Sequence, residues 1–361
     1  MSTKVLFIVP YPKNVAPSQR YRVELYESIL KGNGIEYEIA SFLDKQTWDI
    51  LFKKGHLLEK IAGTAKGYFR RLAHLFKAFK YENIFIHREA APLGPPVFEW
   101  IIAKVLKKRL IYDFDDAIWI PNVSGTNKLA GLFKAHWKIK YICKWAEVVT
   151  AGNQYLHDYA AQYCANTVLL PTCVDVQNVH NRCKIHHAGK PVVGWTGSHS
   201  TLFYLNSIVP VIKELQQEHD FTFLVIADKK PDLALTDWTY VSWDEQSETD
   251  DLLQMDIGIM PLKSDPWTEG KCGFKLIQYL SCGIPALADP VGVNSKIVQD
   301  GINGFLCSDK EAWQARLGLL LKDTKLRAQF GASGRQLIVD TYSIQSQTVN
   351  FLKLFKARAT T

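Results

Sequence analysis

Lys271 and Lys275 stand inside the run WTEGKCGFKLIQYLSCGIP (267–285), crowded by Pro266, Gly270 and Gly273 just ahead of a helical period that opens at Leu276. A glycine-rich loop delivering a helix N-terminus is an anion site, because unpaired N–H groups and the helix dipole point at the ligand. Two cations there suit a diphosphate better than a lone carboxylate; the plain alternative is a capped helix with two solvated lysines. A second loop, VVGWTGSHST (192–201), follows a strand and carries Gly194, Gly197 and Ser198. Doubly wound sheets bind ligands at such strand ends. The loop lacks both G-x-G-x-x-G and a closing Gly-Lys-Ser/Thr, which disfavours a dehydrogenase and a Walker-type nucleotidase.

Acidic and hydroxyl candidates come earlier in the chain. YDFDDAIW (112–119) sets Asp113, Asp115 and Asp116 at a strand end. Carboxylates there can hold a metal, act as a base or accept hydrogen bonds from sugar hydroxyls, and helix capping is the simpler reading. In YPKNVAPSQRYR (11–22), Ser18, Arg20 and Arg22 enter the first helix, placed to meet an acceptor or phosphate unless they are merely a solvated helix start.

These residues need a scaffold, and the chain supplies an alternating one. Short branched-apolar runs at 5–9, 37–40, 84–86, 110–113, 148–151 and 167–170 read as strands. A second series follows at 192–195, 221–226, 239–241, 257–260, 286–287 and 305–306, with helical periods between, such as 23–30, 96–107, 128–145, 203–218 and 313–321. Such alternation implies parallel sheets covered by helices. Two series imply two doubly wound domains, 1–180 and 191–340, parted by the polar stretch 176–190. The segment 341–361 then forms a final helix across the junction.

The 361 residues are 47% apolar and 22% charged, which excludes a disordered or fibrous chain. The net charge of +7 is concentrated in Lys53–Lys80, where eight Lys/Arg meet one Glu. There Leu58, Ile61, Ala65, Phe69, Leu72, Phe76 and Phe79 recur at steps of three and four, a pattern suited to an anionic membrane surface or to packing on its own domain. No run reaches the ~18 apolar residues of a span, and Val5–Val9 is too short for a secretory signal. Seven scattered cysteines form no disulfide framework, so a reducing cytoplasm is expected. Cys173, Cys183, His186 and His187 lack a paired C-x-x-C and read as loop residues rather than a zinc site.

Together these residues resemble the family 4 glycosyltransferases, retaining nucleotide-sugar enzymes of the GT-B fold. The resemblance spans almost the whole chain: VLLPTCVD (168–175), VGWTGS (193–198), DLLQMDIGIMPL (251–262), GKCGFKLIQYLSCGIPALADPVG (270–292) and DGINGFLC (300–307). It implies two Rossmann-like domains facing a cleft, with the donor on the C-terminal domain and the acceptor on the N-terminal one. Donor residues would be Glu269, Gly270, Gly273, Phe274, Gln278, Gly197 and Ser198. Lys271 and Lys275 would stabilise the leaving diphosphate, and Ser18, Arg20 and Arg22 would face the acceptor. The family's glutamate pair falls here on Gly270 and Gln278, with Glu269 one residue early. Restoring the second glutamate, Gln278→Glu, is therefore expected to be tolerated. The basic residue usual after the VGWTGS strand is missing, and Asp115 or Asp116 stands in for the family's N-domain histidine.

The expected reaction is sugar transfer from a nucleoside diphosphate sugar to a hydroxyl acceptor, with retention and without a cofactor or metal. The acceptor is expected to be a saccharide or lipid-linked saccharide of a bacterial surface glycan, met by a cytoplasmic protein peripheral to the membrane through residues 53–80. No nucleic-acid partner is expected. A sugar-nucleotide-binding protein without turnover and a sugar-nucleotide epimerase remain rival readings.

Overall fold

The computed structural model describes residues 3–121 and 134–356. The chain divides into two units: 1–172 together with 347–361, and 173–346.

The first unit is built on one parallel sheet, ordered β2-β1-β3-β4-β5-β6. Its strands are β1 (Lys4–Val9), β2 (Glu36–Ser41), β3 (Asn83–His87), β4 (Arg109–Phe114), β5 (Val148–Ala151) and β6 (Thr167–Leu169). The second sheet runs β12-β11-β10-β7-β8-β9. Its members are β7 (Val192–Gly197), β8 (Thr222–Ala227), β9 (Trp238–Ser242), β10 (Ile257–Met260), β11 (Ala286–Ala288) and β12 (Gly304–Leu306). Every strand pair is parallel, so each connection crosses over through helical segments or long loops. The central strands are apolar on both faces because helices cover both: β3 is buried at all five positions.

The division falls at Thr172, earlier than the polar stretch 176–190. That stretch has no periodicity, yet the second unit ties it down. Arg335 donates to the carbonyls of His180 (2.6 Å) and Val176 (3.0 Å), the Lys184 amide donates to Cys282 O (2.8 Å), and Val174 bridges Ser343. From Gln347 the chain rejoins the first unit. Phe351 stacks on Tyr26 at 3.9 Å, and Phe355 packs on Phe7 and Phe85. Of the 128–145 helical period, 128–133 lie outside the described residues and the helix is Lys138–Trp145. Residues 357–361 of the final segment also lie outside them.

In the helix Leu57–Ala78 the apolar stripe is not packed on its own unit. Its inward face is Gly63, Gly67, Arg71, His74 and Ala78, whereas Leu58, Ile61, Phe69, Leu72 and Phe76 point to solvent. Ideal Cβ atoms on Gly63 and Gly67 would stand 2.3 Å from Thr47 Oγ1 and 2.5 Å from Phe42 Cε1, so glycine lets the backbone lie directly on those side chains. The buried Arg71 guanidinium donates to Val9 O (2.5 Å), Ala40 O (2.7 Å) and Ala90 O (2.5 Å), tying the helix to residues at the carboxyl ends of β1, β2 and β3.

Arg71 Nη1 also lies 3.1 Å from His74 Nδ1. Burial, and then the positive Arg71, lower the His74 pKa to about 4. An unfolded histidine titrates near 6.5, so between these values the unfolded chain binds more protons and stability falls as pH falls. Urea unfolding is expected to show a loss on the order of 2–3 kcal/mol from this group across that window. His74→Gln should remove that part of the slope; an unchanged slope would assign it to other groups.

Candidate functional site

In the second unit the site is built around the start of the helix Phe274–Ser281. Gly273 precedes it with φ +64°, and a Cβ there would meet Ile297 Cδ1 at 2.3 Å, so the position needs glycine on both counts. Tyr279 fixes the helix against the sheet. Its hydroxyl accepts from the Thr196 amide (2.9 Å) and donates to Ile259 O (3.3 Å), while its ring lies 2.4 Å from an ideal Cβ on Gly258. This anchoring brings Lys275 to the end of β7. Its Nζ stands 5.3 Å from the ring centroid of the buried Trp195, and an ideal Cβ on Gly197 would lie 2.9 Å from its Cε. The two glycine-rich loops, about 75 residues apart in sequence, thus converge on one lysine.

Glu269 is half-buried at the end of the short helix Pro266–Glu269, which Asp265 and Thr268 close with a reciprocal cap. Gly292, φ +53°, lets its own segment approach the Glu269 backbone, where a Cβ would meet the carbonyl oxygen at 2.9 Å. Gly270 is buried, Lys271 and Phe274 are half-buried, and Ser198 Oγ lies 2.8 Å from Ser200 Oγ.

Gln278 is only 3% exposed and donates its side-chain nitrogen to Glu248 Oε1 at 3.0 Å. The same oxygen accepts from the Trp243 indole at 3.0 Å. The carboxylate missing at 278 is therefore present beside it, supplied by residue 248. This reverses the expectation that Gln278→Glu is tolerated, since the new carboxylate would face Glu248. Nothing in the sequence joins 248 to 278, which meet because the helix Glu248–Leu252 precedes β10 and the helix Phe274–Ser281 follows it, after the short helix Pro266–Glu269.

In the first unit a polar cluster gathers at the carboxyl ends of β1, β3 and β4. His87 Nδ1 lies 2.7 Å from Asp113 Oδ2, and its Nε2 lies 2.9 Å from Ser18 Oγ. Arg88 grips both other aspartates, Asp115 Oδ1 from Nε at 2.9 Å and Asp116 from Nη2. Burial would raise the Asp115 pKa, but Arg88, then His87 and the Ser18 hydroxyl, hold it well below the usual carboxylate range. So firmly ionised a carboxylate is a weak base and a strong hydrogen-bond acceptor. Arg88 has φ +61°, a left-handed conformation unusual for arginine, and its amide donates to Asp113 O at 2.7 Å.

Ser18, Asp115 and Asp116 are thus brought together, with His87 and Arg88 added by the fold. Arg22 is not part of that surface. It is 1% exposed and turned inward onto Asp113 and the Leu170 carbonyl, so its place is in the core rather than on the acceptor face. Burial would raise the Asp113 pKa, but Arg22 and His87 together hold it below the usual carboxylate value. Arg20 is half-buried over the Tyr21 ring. Among the described residues no group of three or more His, Cys, Asp or Glu is arranged to hold a metal ion. All seven cysteines are free thiols.

Residues 204–337 match the family model described as glycosyl transferases group 1. No curated protein shows significant sequence similarity to the chain. Solved structures resemble it along nearly its whole length. Sucrose-phosphate synthase from Thermosynechococcus elongatus superposes with a TM-score of 0.73 at 14% identity, covering 98% of each chain. A glycosyltransferase from Rickettsia africae gives 0.69 at 13% identity, again over 98% of each. Anabaena HepE in complex with UDP and glucose gives 0.64 at 15% identity, over 97% of this chain and 98% of that one. The two six-stranded parallel sheets are those of the GT-B glycosyltransferase fold.

Proposed function

We propose that the chain is a retaining glycosyltransferase that moves a sugar from a nucleoside diphosphate sugar to a hydroxyl acceptor without a metal ion. The observation that carries this reading is the convergence of Gly197 and Lys275 at the N-terminus of the Phe274–Ser281 helix, a helix that lies within residues 204–337, which match group 1 glycosyl transferases. In this reaction the bond from the anomeric carbon to the diphosphate breaks as the acceptor oxygen bonds to the same face. The acceptor proton passes to the departing phosphate. Negative charge develops on the diphosphate, where Lys275, Lys271 and the helix N–H groups are suited to receive it as fixed charges and dipoles. Glu269 and Gln278 would hold the sugar and nucleoside, and Gly197 and Ser198 the phosphates. Ser18, Arg20 and the Asp115/Asp116 pair would receive acceptor hydroxyls.

The acceptor proposed is a lipid-linked saccharide, with the protein working in the cytoplasm at the membrane surface. Support comes from the Leu57–Ala78 helix, whose aromatic side faces solvent among lysines. No helix among the described residues is long and apolar enough to cross a membrane.

Incubation with a panel of nucleotide sugars, beginning with UDP-sugars, tests the reading. A donor should raise the melting temperature and release nucleoside diphosphate in an acceptor-dependent, chelator-insensitive way, with the anomeric configuration kept. Binding without release would establish a non-catalytic subunit. Donor conversion without acceptor would establish an epimerase.

A further inference from the structure

We infer that the surface meeting the membrane is a layer of three helical segments rather than the Leu57–Ala78 helix alone, and that its occupant is an anionic lipid bilayer. This rests on, and extends, the membrane reading above. In the sheet order β2-β1-β3-β4-β5-β6, the steps β2 to β3, β3 to β4 and β4 to β5 all run the same way. Right-handed crossovers then put their helices on one face of the sheet: Leu57–Ala78, Val97–Trp100 continuing into Ile101–Val105, and Lys138–Trp145. Packing joins them. Tyr68 and Phe98 rings lie 6.1 Å apart, Tyr68 donates to Leu93 O at 2.6 Å, and Lys138 reaches Ala91 O at 2.8 Å.

All three segments turn large apolar side chains outward. Phe69 is 72% and Phe76 77% exposed; Trp100, Val105, Trp137 and Tyr141 are also exposed, the two last one turn apart with rings 5.7 Å between centroids. Side chains of this size seldom stand exposed together unless something covers them. The charge on the layer says what. Lys53–Lys80, Val97–Lys108 and Lys134–Trp145 hold fifteen Lys/Arg, of which Arg71 and Lys138 are buried, against two carboxylates, of which Glu99 is buried. Lysine is depleted in protein–protein interfaces, whereas lysine beside tryptophan and tyrosine is the composition of the headgroup boundary. An anionic bilayer matches both the charge and the aromatics.

Co-sedimentation decides it, using full-length protein with vesicles of phosphatidylcholine alone or of an equimolar phosphatidylcholine–phosphatidylglycerol mixture over a salt series. Three pairs are compared: Phe69→Ser with Phe76→Ser, Trp137→Ser with Tyr141→Ser, and Lys140→Glu with Lys144→Glu. Each should keep the parental melting curve, since the replaced side chains lie outside the core, and should lower partitioning onto anionic vesicles at least about tenfold. If the Trp137/Tyr141 and Lys140/Lys144 pairs bind like the parent while the Phe69/Phe76 pair does not, the layer is wrong and the single-helix reading stands. Parental binding that is absent, or indifferent to lipid charge and salt, overturns both. Lipid-independent self-association abolished by the same substitutions would assign the face to a second copy and also overturn the inference. Transfer to a soluble acceptor should survive all three pairs, which keeps this test separate from that of the transferase reading.

Discussion

Lys275→Ala is expected to lower turnover at least about a hundredfold while leaving the fold intact, the order seen when one preorganised charge-stabilising group is removed from a transition state. The lysine is held in place from outside itself. Tyr279 pins its helix to β7 and β10, Gly273 opens the helix start, and Gly197 lets the strand end come against the lysine stem. Truncation removes the charge and leaves that frame standing. Lys275→Arg should recover little, because a forked guanidinium does not fit the narrow space beside Trp195 and Gly197. The loss should fall on kcat more than on donor affinity, since charge on the diphosphate grows as the bond breaks. A folded variant with near-parental turnover would remove Lys275 from the mechanism.

Gln278→Glu is expected to destabilise the protein by about 2–4 kcal/mol at neutral to alkaline pH, the scale of an uncompensated buried charge, and to weaken donor binding. The new carboxylate would stand about 3 Å from Glu248 Oε1, where a hydrogen bond now runs. Two carboxylates that close share a proton, so the pair's folded pKa rises above its unfolded value. The folded variant then binds more protons than the unfolded chain, and its deficit should shrink as pH falls toward 5. Glu248→Gln alone should cost less, since two amides can still pair. The exchanged variant, Glu248→Gln with Gln278→Glu, restores one carboxylate and one amide in contact and should recover most of the loss. Urea unfolding of the four proteins forms a double-mutant cycle that measures the coupling. Additive effects would mean that the two side chains do not communicate.

Much of this architecture was legible because it is local. All twelve strand runs lie where short, branched-apolar segments interrupt longer periods, and the Gly273 helix start announces itself by composition. What escaped the sequence is made by distant meetings. The chain Asp113–His87–Ser18 joins residues 26 and 69 positions apart, so His87 gave no sign beyond its place at a strand end. Arg22 resembled a surface cation because its partner, Asp113, lies 91 positions on. The orientation of Leu57–Ala78 was hidden for another reason. Its inner face is held by glycines and one buried arginine serving three carbonyls, a contact with no hydrophobic period to read.

The return of the chain from Gln347 into the first unit sets the order in which the molecule can be finished during synthesis. Tyr26, Phe7 and Phe85 leave the ribosome early, but Phe351 and Phe355, which cover them, follow only after the whole second unit has been made. At roughly 5–20 residues per second, the interval from Thr172 to Phe351 is on the order of ten to forty seconds. Throughout that time the nascent first unit carries an uncovered aromatic strip on its β1–β3 side. That strip is a natural foothold for a ribosome-associated chaperone, and an amino-terminal fragment released early would carry it permanently.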